Sequence, residues 1–360
     1  MTGPSLRRLI HDAEGLNTGT WPIVSPEHFI TPVERFFTRS HAPIPDIDPS
    51  GWRLALGGLV ARPRTFSLDE LGAEFPERRV TATLVCAGLR RDEFLAEGPL
   101  SGELPWGAEP VSTGRWSGVA LGDVLRSVGV SERARHVELV GLDEVERRGR
   151  RFGFGGSIDL AKALGDEVLL ATRLNDAPLP PAHGFPLRAV VPGWIGARSV
   201  KWLGRISLTE APSDNYFQSQ AYRIQKEISV EDPRDVSTGE ALRGVPLNAV
   251  IVTPAADATV PPGVVQVRGW AMGSGGRALT AIEISPNGGA DWISVRIVVE
   301  GAEWTWTLWE AEVELKRGRH ILVARAADGG EAAQPEHLAE AWNVKGYGNN
   351  AWHRVPIIVD

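Results

Sequence analysis

Val80, Ala82, Leu84 and Cys86 alternate with Thr81, Thr83 and Val85. A repeat of two predicts a strand that delivers Cys86 at its end. Leu121, Val124, Leu125 and Val128 recur at the three- and four-residue spacing of a helix. Ser67-Leu68-Asp69-Glu70 has the form of a capping box opening a short helix, and a second short helix over 159–164 is stopped by Gly165. Apolar runs predict further strands over 52–60, 137–140, 167–171, 187–191 and 200–208. Pro22, Pro26, Pro32, Pro43 and Pro45 predict an irregular start. Up to about residue 235 the pattern is therefore mixed α and β with long loops.

From Pro246 the texture changes. Short apolar runs fall at 249–252, 264–270, 279–285, 292–299, 304–308, 320–326 and 341–344, with turn signals at Asn287-Gly288 and Asp328-Gly329. Seven short strands suit an immunoglobulin-like sandwich, and the single cysteine leaves its core to rest on packing alone. A chain of 360 residues is long enough for two cores. The expected fold is α+β over 1–240, followed by an all-β immunoglobulin-like sandwich over 241–360.

Hydrophobic residues make up 42% of the chain and charged residues 23%, the balance of a soluble globular protein. A net charge of -7 argues against non-specific nucleic-acid binding. No apolar run reaches the length of a membrane span. The pair Arg7-Arg8 is followed by polar residues instead of an apolar stretch, so no export signal is expected. The expected location is cytoplasmic, or periplasmic if a leader has been trimmed.

Three stretches hold more polar groups than a surface loop needs. They are Phe36-Phe37-Thr38-Arg39-Ser40-His41, the run Cys86-Ala87-Gly88-Leu89-Arg90-Arg91, and the span from His183-Gly184-Phe185-Pro186-Leu187-Arg188 to Gly196-Ala197-Arg198-Ser199-Val200-Lys201. Taken alone, Cys86 could be a buried small hydrophobe, a nucleophile or a metal ligand. The neighbouring arginines favour a thiolate, and thiolates suit soft or redox-active metals. Arginine, histidine and lysine interleaved with glycine suit an anionic ligand. There is no P-loop, no G-x-S-x-G, no H-E-x-x-H and no C-x-x-C-H haem attachment motif.

On these stretches the chain resembles the sulfite oxidase family of molybdopterin enzymes, whose cysteine motif usually reads C-A-G-N-R-R. The likeness continues through Leu104-Pro105-Trp106, Val111-Ser112-Thr113-Gly114-Arg115-Trp116, Gly275-Gly276-Arg277, Trp304-Thr305-Trp306-Thr307-Leu308-Trp309 and Asn350-Ala351-Trp352-His353-Arg354-Val355. The resemblance implies a molybdenum-binding N-terminal domain and an immunoglobulin-like dimerisation domain, hence a homodimer. It implies molybdenum on molybdopterin, a pyranopterin dithiolene, with Cys86 as the protein ligand and no haem. Phe37, Thr38, Arg39, Ser40, His41, Asp143, His183, Arg188, Ser199, Val200 and Lys201 would line the cofactor, and Arg188 and Lys201 would neutralise its phosphate. Arg39, Arg91 and Arg277, with Trp106, would form the anion pocket, and Tyr222 would hydrogen-bond the reacting oxygen. The implied reaction is oxidation of sulfite to sulfate by oxo transfer, with electrons passing to oxygen or an external cytochrome. The alternatives are another small oxyanion or a sulfoxide as substrate, or a non-catalytic interaction protein. Two departures bear on the substrate. Leu89 replaces the usual asparagine, and the pocket lysine of animal members falls near Gly102.

Overall fold

A computed structural model of the chain describes residues 8–12, 16–20, 25–100, 103–227, 232, 235–330 and 333–360. The capping box forms as its sequence requires. Ser67 Oγ accepts from the Glu70 amide at 3.1 Å and Glu70 Oε2 accepts from the Ser67 amide at 2.7 Å, opening the helix Leu68–Glu74. Such a cap is worth about 1 kcal/mol. The helix Leu121–Val128 buries Leu121, Val124, Leu125 and Val128, the residues its spacing places on one face. They join a core with Leu56, Leu139, Leu170 and Ile206.

Two sheets carry the first part of the chain. One runs in the order Gly155–Asp159, His136–Gly141, Leu203–Thr209, Leu54–Gly58, Arg64–Phe66. Only the Leu203–Thr209 and Leu54–Gly58 pair within it is parallel. The other runs Ala177–Pro178, Leu169–Leu174, Val111–Ala120, Glu77–Val85, with Arg188–Val190 also paired to Leu169–Leu174. The strand Val111–Ala120 has no legible period, because every residue except Arg115 is buried. A strand covered on both faces does not alternate.

The second part is a sandwich. One sheet orders Asn248–Thr253, Gly263–Met272, Thr307–Leu315 and Arg296–Val299. The facing sheet orders Thr259–Val260, His353–Val359, Gly318–Asp328, Leu279–Ser285 and Ile293–Ser294. Val267, Trp309, Ile284, Leu322 and Ile357 fill the space between them. The all-β arrangement fits the immunoglobulin-like expectation. The run 292–299 is not one strand: Ile293–Ser294 pairs in one sheet and Arg296–Val299 in the other. Nor does 304–308 begin a strand at Trp304. Trp304 has φ 71°, and its carbonyl accepts from the Thr83 amide at 2.8 Å, so this segment covers the edge of the strand Glu77–Val85.

The expected strand at 341–344 is overturned. A short helix, Leu338–Ala341, leads into a loop clamped by Asn343. Asn343 Nδ2 donates to the Tyr347 carbonyl at 2.7 Å, and the Tyr347 amide donates to Asn343 Oδ1 at 3.0 Å. The loop then reaches the cysteine turn, where the Gly348 amide donates to the Ala87 carbonyl at 2.7 Å. The strand His353–Val359 was missed because Pro356 breaks the apolar run; in the structure Pro356 faces outward while Val355, Ile357 and Val359 point in. No helix among the described residues is long and apolar enough to cross a membrane.

Candidate active site

Cys86 follows the last residue of the strand Glu77–Val85 and starts a turn in which the Gly88 amide donates to Cys86 Sγ at 3.5 Å. The thiol is 8% exposed, and it faces a cavity. Phe36, Phe37, Leu84, Phe154 and Trp202 form apolar walls. Thr38, Arg39, Ser40, His41, Asp143, His183, Arg188, Ser199, Lys201 and Tyr222 add polar groups. The cavity thus gathers twelve of the sequence-derived site residues, brought from loops on three sides of the two sheets.

Its charge is lopsided: three cations, Arg39, Arg188 and Lys201, face one carboxylate, Asp143. Arg188 donates to the carbonyls of His183 and Ser199, both at 2.9 Å, and lies 4.9 Å from the Trp116 ring centroid. Burial pushes its pKa down to about 9, so it remains charged at neutral pH in a place that disfavours charge. Lys201 donates to Ser40 Oγ at 2.7 Å and to the Ala182 carbonyl at 3.0 Å. Burial, then the charge of Arg188, holds its pKa well below the usual ammonium range, against the opposing pull of Asp143. Gly184 allows the two cations to converge: at φ 104° it sits where an added Cβ would meet the Cβ atoms of both Arg188 and Lys201 at 3.0 Å. Cations held mainly by dipoles, with one carboxylate nearby, are stabilised by an anion entering the cavity.

This donor set fits the molybdenum cofactor that the sequence resemblance implies. Among the described residues no three His, Cys, Asp or Glu side chains form a metal cluster. A metal at Cys86 would have one protein ligand, and its other donors would arrive with a cofactor. The surplus of buried cations suits a phosphate on that cofactor, and the aromatic walls suit its rings.

At the other end of the cavity His41 joins Arg39 to Tyr222. Arg39 Nη2 lies 3.3 Å from His41 Nδ1, and His41 Nε2 lies 2.8 Å from Tyr222 Oη. A guanidinium can only donate, so Nδ1 accepts and the ring proton of a neutral imidazole sits on Nε2. Neutrality follows from burial and the charges of Arg39, Arg147 and Lys201, which hold the His41 pKa well below 6.5. Nε2 therefore donates to Tyr222 Oη, which leaves the phenol proton free to point elsewhere. Burial pushes the Tyr222 pKa up to about 12, so that proton is retained at neutral pH. Tyr222 holds a left-handed backbone, φ 54°, an uncommon conformation for an aromatic residue and one that clusters at functional sites.

Four sequence-derived residues stand outside the cavity wall. Val200 turns its side chain into the apolar core of the first two sheets. Trp106 is fully buried in the same apolar cluster as Cys86, its ring centroid 4.2 Å from that of His11 at a tilt of 54°. Arg91 lies beside the mouth, with Nε donating to the Gly346 carbonyl at 3.1 Å and its guanidinium 5.0 Å from the Tyr347 ring. Arg277 is exposed and turned toward Ser274 Oγ, 3.0 Å away, and Gly330. The cation that the second part of the chain brings to Arg91 is instead Lys345, through the shared carboxylate of Glu103. Tyr347 completes this rim by stacking on Tyr222 at 5.2 Å. Sequence reading missed Lys345 and Tyr347, because a strand was expected at 341–344 and a strand would not bend back to Cys86, and it missed Glu103, which has no motif of its own. Leu89 points into an apolar cluster with Val250, Trp270 and Trp306, so its replacement of asparagine changes packing between the two parts of the chain. Gly102 lies outside the described residues.

Residues 41–217 match the oxidoreductase molybdopterin binding domain, and residues 240–360 match the Mo-co oxidoreductase dimerisation domain. The chain is similar to sulfite oxidase of Gallus gallus, with 38% identity over 335 residues, covering 91% of this chain and 73% of that protein. It is 37% identical over 369 residues to mitochondrial sulfite oxidase of Homo sapiens, covering 99% of this chain and 66% of that protein. The chain thus spans about two thirds of the length of the human relative. Its fold is that of the sulfane dehydrogenase SoxCD from Paracoccus pantotrophus, with a TM-score of 0.81 at 23% identity over 99% of this chain and 90% of that one.

Proposed function

This chain belongs to the sulfite oxidase family of molybdopterin-binding oxidoreductases and is an enzyme of that type, and from that premise we propose that it oxidises sulfite to sulfate. The observation that carries the proposal is one cavity holding the only thiol of the chain and a surplus of cations. When bound, the molybdenum cofactor supplies two-electron oxygen-atom transfer. Overall, sulfite and one water give sulfate, two electrons and two protons, the protons coming from the water.

The chain's own residues bind, orient and move protons. The Cys86 thiolate would hold the metal, and Arg188 and Lys201 would neutralise the pterin phosphate. Phe36, Phe37 and Trp202 exclude water from the cofactor. Arg39, with Arg91 at the rim, attracts the oxyanion and orients it, a positioning effect. Tyr222, fixed by the His41 hydrogen bond, offers its free proton to the reacting oxygen. Electrons leave to oxygen or an external cytochrome. Residues 1–240 form the catalytic domain and 241–360 the domain through which two copies associate. That division is supported by the break between the strands Leu203–Thr209 and Asn248–Thr253, which belong to separate sheets. A second reading, another small oxyanion or a sulfoxide as substrate, is favoured by one observation: the Glu103 carboxylate offsets positive charge at the rim.

The test is sulfite-dependent ferricyanide reduction by protein verified to be loaded with molybdenum. Turnover by the parent and a loss of more than ~100-fold in Cys86→Ser is the expected result, because removing a ligand exceeds the 10–100-fold cost of losing a residue behind one. No turnover by the loaded parent rejects sulfite as substrate.

A further inference from the structure

Just outside the cavity wall, where Tyr347 joins the lining residue Tyr222 to Arg91, stands a carboxylate between two cations. Glu103 Oε1 lies 3.2 Å from Lys345 Nζ, and Glu103 Oε2 lies 3.8 Å from Arg91 Nη1. The three side chains are 15%, 12% and 4% exposed, so their charges are only partly screened by water. Arg91 is otherwise tied to carbonyls, those of Leu104 at 3.0 Å and Gly346 at 3.1 Å. An added Cβ at Gly88 would meet its guanidinium at 2.7 Å, so the turn after Cys86 packs directly against this group. Glu103 is also near enough for its charge to be felt at Tyr222 and Tyr347.

A carboxylate presents two oxygens sharing one negative charge, and it meets guanidinium and ammonium groups much as a sulfur oxyanion does. We propose that Glu103 is a built-in competitor for the substrate oxyanion, resting between Arg91 and Lys345 until an incoming anion displaces it, and that it thereby sets the affinity of the site for anions. The inference rests on the reading of this rim as the entrance for sulfite or a related oxyanion. Displacement involves no bond making. Glu103 swings to solvent, and the anion takes over its two cationic partners. The arrangement explains why two cations at the rim of a buried cationic cavity are stable in its resting state: they are not left unpaired. It also favours release of a dianionic product, since Glu103 returns as the product leaves.

The experiment titrates molybdenum-loaded enzyme with sulfate, which binds without reacting, by calorimetry at low ionic strength. Parent, Glu103→Gln and the double variant Glu103→Gln with Lys345→Gln are compared. Glutamine keeps the size and the hydrogen bond of Glu103 and removes only its charge. Glu103→Gln is expected to tighten sulfate binding about tenfold, the effect of removing one like charge at close range in a partly screened setting. The KM for sulfite is expected to fall by a similar factor, and the double variant to lose the gain. Unchanged or weaker sulfate binding by Glu103→Gln overturns the inference even if sulfite is turned over. Tighter sulfate binding in a protein that does not oxidise sulfite leaves the inference standing and removes sulfite as the substrate.

Discussion

Tyr222 and His353 show how one buried ring can be read from the proton it must or must not carry. Tyr222 keeps its proton because burial raises its pKa to about 12, and the Nε2 proton of His41 already fills one of its acceptor positions. Tyr222→Phe removes the only proton this pair can present to the reacting oxygen. The expected loss in kcat/KM for sulfite is about 10–100-fold, the value of a hydrogen bond to a charged partner. Unchanged kinetics in the ferricyanide assay would count against the role. His353 is the converse case. Its Nδ1 accepts from the Ile251 amide at 2.9 Å, which requires that nitrogen to be unprotonated. Burial, reinforced by Arg90 and opposed by Glu93, pushes its pKa from 6.5 to about 3. The 3.6 Å approach of Nε2 to Glu93 is therefore not an ion pair at neutral pH. The unfolded chain takes up the proton first, so His353 costs stability as pH falls below about 6.5, and the cost stops growing near 3. Over that window the loss is on the order of 4 kcal/mol. His353→Asn keeps an acceptor for Ile251 but cannot titrate, so its melting temperature should fall less steeply between pH 6.5 and 4 than the parent's.

At the scale of elements, the loop after the helix Leu338–Ala341 matters most. Its shape depends on one buried amide, Asn343, bonded to both backbone groups of Tyr347. Asn343→Ala leaves those groups unpaired and costs about 1–3 kcal/mol. Because Lys345, Gly346 and Tyr347 ride on this loop, the same change should raise the KM for sulfite, while molybdenum content, set by Cys86, Arg188 and Lys201 on other segments, stays at the parent level. Equal loss of metal and of substrate affinity would show instead that the loop supports the whole cavity. Periodicity predicted the strand Glu77–Val85 and the helix Leu121–Val128 well, because each buries one face. It failed at Val111–Ala120, buried on both faces, and at 341–344, where apolar residues serve a bend.

At the scale of the molecule, the two parts of the chain are locked together by the residue next to Arg91. Arg90 is wholly buried, pairs with Glu93 at 2.7 Å, and donates to Asn248 Oδ1 at 2.8 Å and the Ala351 carbonyl at 2.9 Å. Asn349 Nδ2 donates back to the Arg90 carbonyl at 2.9 Å. Arg90→Met strands the half-buried Glu93 carboxylate and leaves the buried Asn248 and Ala351 acceptors unpaired, at a cost of about 1–3 kcal/mol. The expected readout is a lower melting temperature, with the single unfolding transition of the parent separating into two. A transition that stays single and unshifted would mean that the apolar cluster around Leu89 and Trp306 couples the two parts by itself. The 240–360 region matches a dimerisation domain, so light scattering at micromolar concentration should find a species of twice 39.0 kDa. A 39.0 kDa species alone would reject the dimer.

What the linear chain settled is whatever depends on neighbours along it. The capping box at Ser67, the delivery of Cys86 by an alternating strand, the change to short strands after Pro246, and the three polar stretches around the cavity are all local patterns. They were legible because a helix face, a strand face or a motif repeats within a few residues. Tertiary structure alone decided which distant groups share a charge. Arg277 had the right residue type, yet its side chain turns to Ser274. Lys345 carried no local signal, yet a loop returning across 259 residues, from Asn349 to the Arg90 carbonyl, brings it to Glu103 and so beside Arg91. Ion pairing falls off over a few ångströms and is blind to sequence separation. The make-up of the anion rim, and with it the affinity of the site, is therefore a property of the fold.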